Sequence, residues 1–304
     1  MLDLTNINTI KSIMKENRLW AKKSFGQHFL ISPKPLMTLM RAANVTNEDT
    51  VVEVGPGLGV LTQELVKKAK LVLAIEKDYG FVQYLRKYFK HCKNVKIIHA
   101  DILDYDLSLM KTEYKVVSNL PYNITSPTIR KFLECNQLST INNQPSTEKK
   151  QLDKSRELPV ESCKLESMII MVQKEVAERI CAKAGNSERG LLTLMVEFHA
   201  DAEIVEVVDR KNFWPVPEVD SAIIKITLKH ENNKTINPDP FFRIVKIGFS
   251  QKRRQIVNPL SAGLRLPKNR IIDILKSAKI DYQKRAEDLT LEDWKRLMEG
   301  VQNG

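Results

Sequence analysis

The residues whose types most suggest chemistry are Asn119-Leu-Pro-Tyr122: an amide, an apolar residue, a proline and an aromatic ring in succession. This set suits the exocyclic amine of adenine. N6 is a poor nucleophile because its lone pair is delocalised into the ring, so a catalyst needs acceptors that bind both N–H groups and turn the lone pair toward an incoming methyl. The Asn119 side-chain oxygen and the backbone carbonyl of Leu120 or Pro121 can be those acceptors, with the proline fixing the turn and the Tyr122 ring stacking on the base. No strong general base is required. The plain alternative is an Asn-X-Pro-Tyr turn with no chemical role.

Glu53-Val-Gly-Pro-Gly-Leu-Gly59 is a second candidate. Gly55, Gly57 and Gly59 let the backbone turn tightly and lie against a ligand, a property shared with dehydrogenases and with many ordinary turns. Glu76, 21 residues after Gly55, sharpens the reading, because a carboxylate there can accept both ribose hydroxyls of a nucleoside cofactor. Asp101, in His99-Ala-Asp-Ile-Leu103, can accept a cofactor adenine amine or can simply cap a turn.

These residues fall at the ends of short apolar runs. Thr50–Val54, Leu71–Ile75, Val95–His99 and Lys115–Ser118 read as strands, with helices at Val60–Lys68 and Tyr79–Lys90 between them. Continuous Val/Ile/Leu runs are the mark of parallel strands buried on both faces. Ser167–Val172, Ile204–Val208 and Ala222–Leu228 add three more strands, and Lys174–Cys181 a helix. The expected fold class is α/β: a doubly wound, Rossmann-like sheet of seven strands ending in an antiparallel hairpin, the methyltransferase variant of that fold.

Between Asn136 and Glu166 the apolar periodicity stops, and five Lys/Arg balance five Asp/Glu, which reads as a solvated insertion. Asn232, Asn233, Asn237, Pro238 and Pro240 read as a linker. The expected domains are therefore 1–232, carrying the sheet, and 237–304, a small all-α unit. The latter holds fourteen Lys/Arg against eight Asp/Glu, about six of the eleven excess positive charges of the chain.

That net charge of +11, with a pI near 9.3, draws polyanions. Nucleic acid is favoured over membrane, since no stretch approaches the ~18 apolar residues of a span, and the expected compartment is the cytoplasm. Cys92, Cys135, Cys163 and Cys181 stand apart with no C-x-x-C pair, so neither disulfides nor a metal site is expected.

With these motifs in place, the chain from about Lys22 to about Met298 resembles the KsgA-type family of small-subunit (16S) ribosomal RNA adenine N6-dimethyltransferases. Lys23-Ser-Phe-Gly-Gln-His-Phe-Leu30 is similar to that family's N-terminal cofactor motif. The resemblance implies that His28 and Leu30 join Gly55, Gly57, Gly59, Glu76, Asp101 and Asn119 as contacts to S-adenosyl-L-methionine. Gln173-Lys-Glu-Val-Ala-Glu-Arg179 resembles a family helix start of mainly structural weight. Phe213-Trp-Pro-Val-Pro-Glu-Val-Asp-Ser221 resembles the family's aromatic loop, which implies that Phe213 closes over a flipped adenine opposite Tyr122. Phe249-Ser-Gln-Lys-Arg-Arg-Gln-Ile256 and Arg285-Ala-Glu-Asp-Leu289 resemble its C-terminal domain, where Lys252, Arg253 and Arg254 are expected to meet RNA phosphates; a merely solvated basic helix face is the alternative.

Three features depart from the family pattern: the long insertion, Arg189-Gly190 in place of an aromatic-Gly pair, and Gln255 in place of a lysine in an expected basic helix. All three are expected to bear on RNA docking rather than catalysis. The implied reaction is dimethylation of two adjacent adenosines in a hairpin loop near the 3′ end of small-subunit rRNA, by a monomer acting on an assembling 30S particle. The target base must leave its stack, which costs roughly a few kcal/mol and least for a loop base.

Other readings remain. A large-subunit rRNA adenine methyltransferase of the antibiotic-resistance type shares every motif through Tyr122, but not the longer C-terminal segment with Lys252-Arg253-Arg254. An assembly or transcription factor that kept the fold would not need intact Asn119, Pro121 and Tyr122. The H-x-E and P-C-x-x-C pieces of a zinc deaminase are absent, and a dehydrogenase leaves Asn119–Tyr122 unexplained.

Overall fold

The computed structural model describes residues 2–22, 26–110, 112–141, 164–229 and 237–302. Residues 142–163 of the expected insertion, and Asn232 and Asn233 of the expected linker, lie outside them. The chain forms two compact units, one of residues 1–177 and 203–228, the other of residues 178–202 and 229–304.

In the first unit α1 (Ile7–Glu16) and α2 (Pro33–Ala43) flank the two-residue β1 (Phe29–Leu30). There follow β2 (Thr50–Val54), α3 (Val60–Leu65), β3 (Leu71–Glu76), α4 (Tyr79–Tyr88), β4 (Val95–His99), β5 (Glu113–Asn119) and α5 (Thr125–Ile141). The chain continues as β6 (Lys164–Gln173), α6 (Lys174–Ile180), α7 (Leu191–His199), β7 (Ala200–Val208), β8 (Phe213–Trp214) and β9 (Ser221–Leu228). Every strand expected from the apolar runs is present, within a few residues at each end.

The sheet order is β4-β3-β2-β5-β6-β9-β7. The β2–β3, β3–β4, β2–β5 and β5–β6 pairs are parallel and β6–β9 is antiparallel. From β2 the chain winds outward to β3 and β4, then returns to place β5 on the other side of β2. That reversal opens a crevice at the carboxyl ends of β2 and β5, the place where such sheets bind ligands. All five residues of β2 are buried, which is why the strand is apolar apart from Thr50 and Glu53.

α1 and α2 are not among the elements expected from the sequence, although both carry start signals. Asn6 caps α1 by accepting from the N–H groups of Asn8 and Thr9, and Pro33 starts α2. Ile10 and Ile13 of α1 and Leu36 and Leu39 of α2 join the sheet core, each burial contributing about 1.5–3 kcal/mol.

The second unit contains α7, α8 (Pro238–Phe249), α9 (Val257–Leu264), α10 (Lys268–Ser277) and α11 (Leu291–Gln302). Its boundary differs from the expected one. Residues 178–202, expected with the sheet, belong here because Leu194 and Phe198 of α7 pack in one core with Phe241, Leu260 and Trp294. Asn237 and Pro238 also act differently from a linker: Asn237 caps α8 by accepting from Asp239 N–H, and Pro238 begins its first turn.

Arg189 does not alter an RNA-facing surface, as the sequence leads one to expect. It is 1% exposed, donating from Nη2 to Glu197 Oε2 at 2.6 Å and from Nη1 to the Ala182 carbonyl at 3.0 Å. A buried guanidinium is tolerated because carboxylate and carbonyl both accept from it. Lys252, Arg253 and Arg254 are exposed, but on the turn between α8 and α9 rather than on a helix. Gln255 on that turn pairs antiparallel with Arg285, so the two C-terminal family-like motifs meet. Among the described residues no helix is long and apolar enough to cross a membrane.

Candidate active site

Apart from Lys252, Arg253 and Arg254, the expected site residues all lie in the first unit, and all of these except Gly59, which faces Leu85 and Phe89 instead, and Phe213 line one cavity at the β2/β5 crevice. The turn after β2 has Gly55, Gly57 and Gly59 at φ of 66°, 55° and 81°, a region open to glycine at no steric cost. A Cβ on Gly55 would stand 3.1 Å from Pro121 Cγ, so the glycine turn lies directly against the Asn-Leu-Pro-Tyr turn. The Ser118 hydroxyl fixes this approach by donating to the Val54 carbonyl at 2.6 Å.

Glu76 ends β3 at 4% exposure and is held from both sides. Gly57 N–H donates to Oε2 at 3.1 Å and Asp78 N–H to Oε1 at 2.8 Å. Each oxygen retains a second lone pair, so the carboxylate can still accept two hydroxyls. Burial pushes the Glu76 carboxyl pKa up, against the pull of those two N–H groups. Glu53, also in the wall, accepts from Thr62 Oγ1 at 2.6 Å. Burial pushes it up to about 8, with the neighbouring Glu76 adding to the rise, so at neutral pH it is an uncharged hydrogen-bonding group.

Asp101 is less open than the sequence suggests. Its Oδ2 meets Lys77 Nζ at 2.6 Å and its Oδ1 accepts Leu103 N–H at 2.9 Å. Burial opposes the charge, but Lys77 and the Leu103 N–H outweigh it and hold the carboxyl below its ordinary range.

Asn119 ends β5, and its Nδ2 donates to the His28 carbonyl at 3.2 Å. Because that carbonyl can only accept, the amide is oriented by chemistry, and Oδ1 is left as its acceptor. The Pro121 carbonyl is already engaged by Ile124 N–H at 3.2 Å and Thr125 Oγ1 at 3.3 Å, which favours Leu120 of the two carbonyls the sequence leaves open. The His28 ring stacks on Tyr122, with centroids 5.4 Å apart and planes at 27°. His28 Nδ1 lies 2.7 Å from the Pro215 carbonyl, so Nδ1 carries the proton.

Phe213 is not where a base-closing ring would be. It is fully buried in the core, outside the cavity lining, and pairs through its backbone with Leu30 in the two-stranded ribbon of β1 and β8. The apolar core retains the ring, and the Phe213 backbone instead helps seat Leu30 in the cavity wall. The cavity also takes Gly26 and Gln27 of the N-terminal motif, Ala100 and Ile102 beside Asp101, and Ile75 and Leu36, none of them among the expected site residues. Ile102 is recognisable as the apolar neighbour of Asp101; Leu36 carries no local signal, since only packing brings α2 there.

A buried carboxylate with two open acceptor sites, a glycine backbone without side chains and apolar walls at Ile75 and Ile102 fit the ribose and base of a nucleoside. The comparisons with known proteins agree. The family model for ribosomal RNA adenine dimethylase matches residues 18–303. A ribosomal RNA small subunit methyltransferase A of Dehalococcoides mccartyi is 40% identical over 94% of this chain and 90% of its own length. The crystal structure of a dimethyladenosine transferase from Plasmodium falciparum superposes with a TM-score of 0.71 at 24% identity, covering 91% of this chain and 98% of that one, and shows the fold. The 23S rRNA methyltransferase ErmE gives 0.65 at 25% identity over 90% and 99% of the two chains, so fold alone does not separate small-subunit from large-subunit enzymes. Sequence identity does favour one of them, and with a family match that runs from before β1 to the end of α11, the chain belongs to the ribosomal RNA adenine dimethylase family.

Proposed function

We propose that this chain transfers methyl groups from S-adenosyl-L-methionine to N6 of adenosines in small-subunit ribosomal RNA, acting as a monomer in the cytoplasm on an assembling 30S particle. The observation that carries the reading is the Asn119 amide, turned by the His28 carbonyl so that its oxygen is the open acceptor in the crevice that Glu76 closes.

When bound, the cofactor supplies an electrophilic methyl on a positively charged sulfur. Glu76 would accept the ribose hydroxyls, and Asp101, already paired with Lys77, would accept the cofactor's adenine amine. Gly55 and Gly57 would let the backbone lie along the ligand, and His28 and Leu30 would close the wall. Asn119 Oδ1 and the Leu120 carbonyl accept the two N–H groups of the target amine and bring its lone pair out of conjugation. Tyr122 stacks on the extruded base, and its uncharged hydroxyl takes no proton. The proton leaving N6 passes to solvent once methylation has made it acidic.

Small subunits from cells lacking this gene, incubated with enzyme and cofactor and digested for mass spectrometry, should yield N6,N6-dimethyladenosine from two adjacent positions near the 3′ end. Product in large-subunit rRNA alone would establish the rival assignment, and absence of product from both would remove the reading. ErmE supports that rival only through the shared fold.

The charge of the helical unit supports an RNA-phosphate role for Lys252, Arg253 and Arg254, none of which is paired with a carboxylate among the described residues. Replacing both arginines with glutamate should weaken particle binding and lower the logarithmic salt slope by about 0.7–0.9 per lost contact. Binding titrations at several salt concentrations check this, and an unaltered slope would move the RNA surface elsewhere.

A further inference from the structure

The Tyr122 hydroxyl and Ser221 Oγ share a hydrogen bond of 2.6 Å across 99 positions of sequence. Ser221 is fully buried and begins β9, where it pairs with Gln173 of β6. Its position is fixed from the preceding residue as well: the Asp220 carbonyl accepts Lys174 N–H at 2.9 Å, and Asp220 Oδ1 accepts Arg210 N–H at 3.0 Å. The hydroxyl that meets Tyr122 is therefore carried by rigid sheet rather than by a loop.

Tyr122 itself has weaker local support. It opens a single 3-10 turn and is only partly buried. His28 covers one face of the ring, with its imidazole tied to the Pro215 carbonyl, so a base stacking on this cavity-lining residue must take the opposite face. Rotation about the side-chain bonds would carry the ring away from that position, and the bond to Ser221 resists such rotation at the far end of the ring, where leverage is greatest.

We infer that Ser221 is a positioning residue for methyl transfer, holding the Tyr122 ring by its hydroxyl at the angle at which its open face receives the target adenine. The inference rests on the reading of Tyr122 as the base-stacking residue. Burial raises the Tyr122 hydroxyl pKa, while Ser221 lowers it and the Asp220 charge raises it further, so the group stays a neutral partner through the working range.

The test uses Ser221→Ala, Ser221→Thr, Tyr122→Phe and the Ser221→Ala/Tyr122→Phe double variant on small subunits from cells lacking this gene. Ser221→Ala should lower kcat by about threefold to tenfold, the worth of one net hydrogen bond, with KM for the particle and calorimetric affinity for S-adenosyl-L-methionine within about twofold of the wild type. Ser221→Thr should restore most of the loss. Tyr122→Phe removes the same bond from the other side and should match Ser221→Ala, and the double variant should be no slower than either. A wild-type kcat in Ser221→Ala or Tyr122→Phe overturns the inference, as do additive losses or a loss expressed in cofactor affinity. If Ser221→Ala fails to fold, Tyr122→Phe alone decides. An inactive wild type would instead overturn the proposed function, which keeps the two failures apart.

Discussion

Asn119→Ala should turn over at least about tenfold and up to about a thousandfold more slowly than the wild type, while binding ribosomal particles with unchanged affinity and salt dependence. The side chain contributes an acceptor whose orientation is set by the 3.2 Å bond to the His28 carbonyl, and alanine removes both the acceptor and the group that satisfies that carbonyl. Asn119→Asp separates these effects. It keeps an acceptor oxygen but points a second one at the His28 carbonyl, so it should also be slow, by displacing the N-terminal wall rather than by losing an acceptor. Single-turnover rates on saturated particles check the prediction, and calorimetry in parallel shows whether Asn119 also touches the cofactor. A wild-type rate for Asn119→Ala would move the chain toward a binding factor.

Glu76→Ala should weaken S-adenosyl-L-methionine binding by about 1.5–3 kcal/mol for each of two charge-assisted hydrogen bonds, roughly a hundredfold or more in affinity. Part of the loss comes from Gly57 and Asp78, whose N–H groups lose their acceptor. Glu76→Gln keeps one carbonyl oxygen and should fall between the wild type and Glu76→Ala. The raised pKa of the buried carboxyl adds a pH dependence. As pH falls through that raised pKa the carboxylate gains a proton, loses acceptor strength, and cofactor affinity drops on the acid side, a trend that Glu76→Gln should flatten. Calorimetry across pH reads both effects, with thermal unfolding of the unliganded variants controlling for a loosened turn. Unchanged affinity in Glu76→Ala would take this residue out of the site.

Much of this is legible from local patterns. Thr50–Val54 and Leu71–Ile75 announce themselves because strands buried on both faces need nearly continuous apolar sequence, and a glycine turn with an acid at the next strand end has few other physical uses. Asn119–Tyr122 is legible for the same reason: the strand before it fixes where the turn must stand. What sequence alone determined was therefore the sheet, Gly55 and Gly57 of the cavity wall, Glu76, and the Asn-Leu-Pro-Tyr turn.

Tertiary structure decided the contacts that orient those groups. β1 and β8 are two residues each, too short for any periodic signal, yet their pairing seats His28 and Leu30 against the cavity and buries Phe213 where a stacking ring was expected. Arg189 reads as a surface cation until Glu197 and the Ala182 carbonyl are seen around it. Residues 178–202 read as part of the sheet domain until Leu194 and Phe198 are found packing with Phe241 and Trp294. Asp101 reads as an open acceptor until Lys77 is found 2.6 Å away. Except for Arg189, whose partners stand seven and eight residues away, the deciding partner is remote in sequence or carried by an element too short to show a pattern. Periodicity and spacing encode which face of an element is buried, whereas the partner that meets a given polar atom is set only when the whole chain has packed.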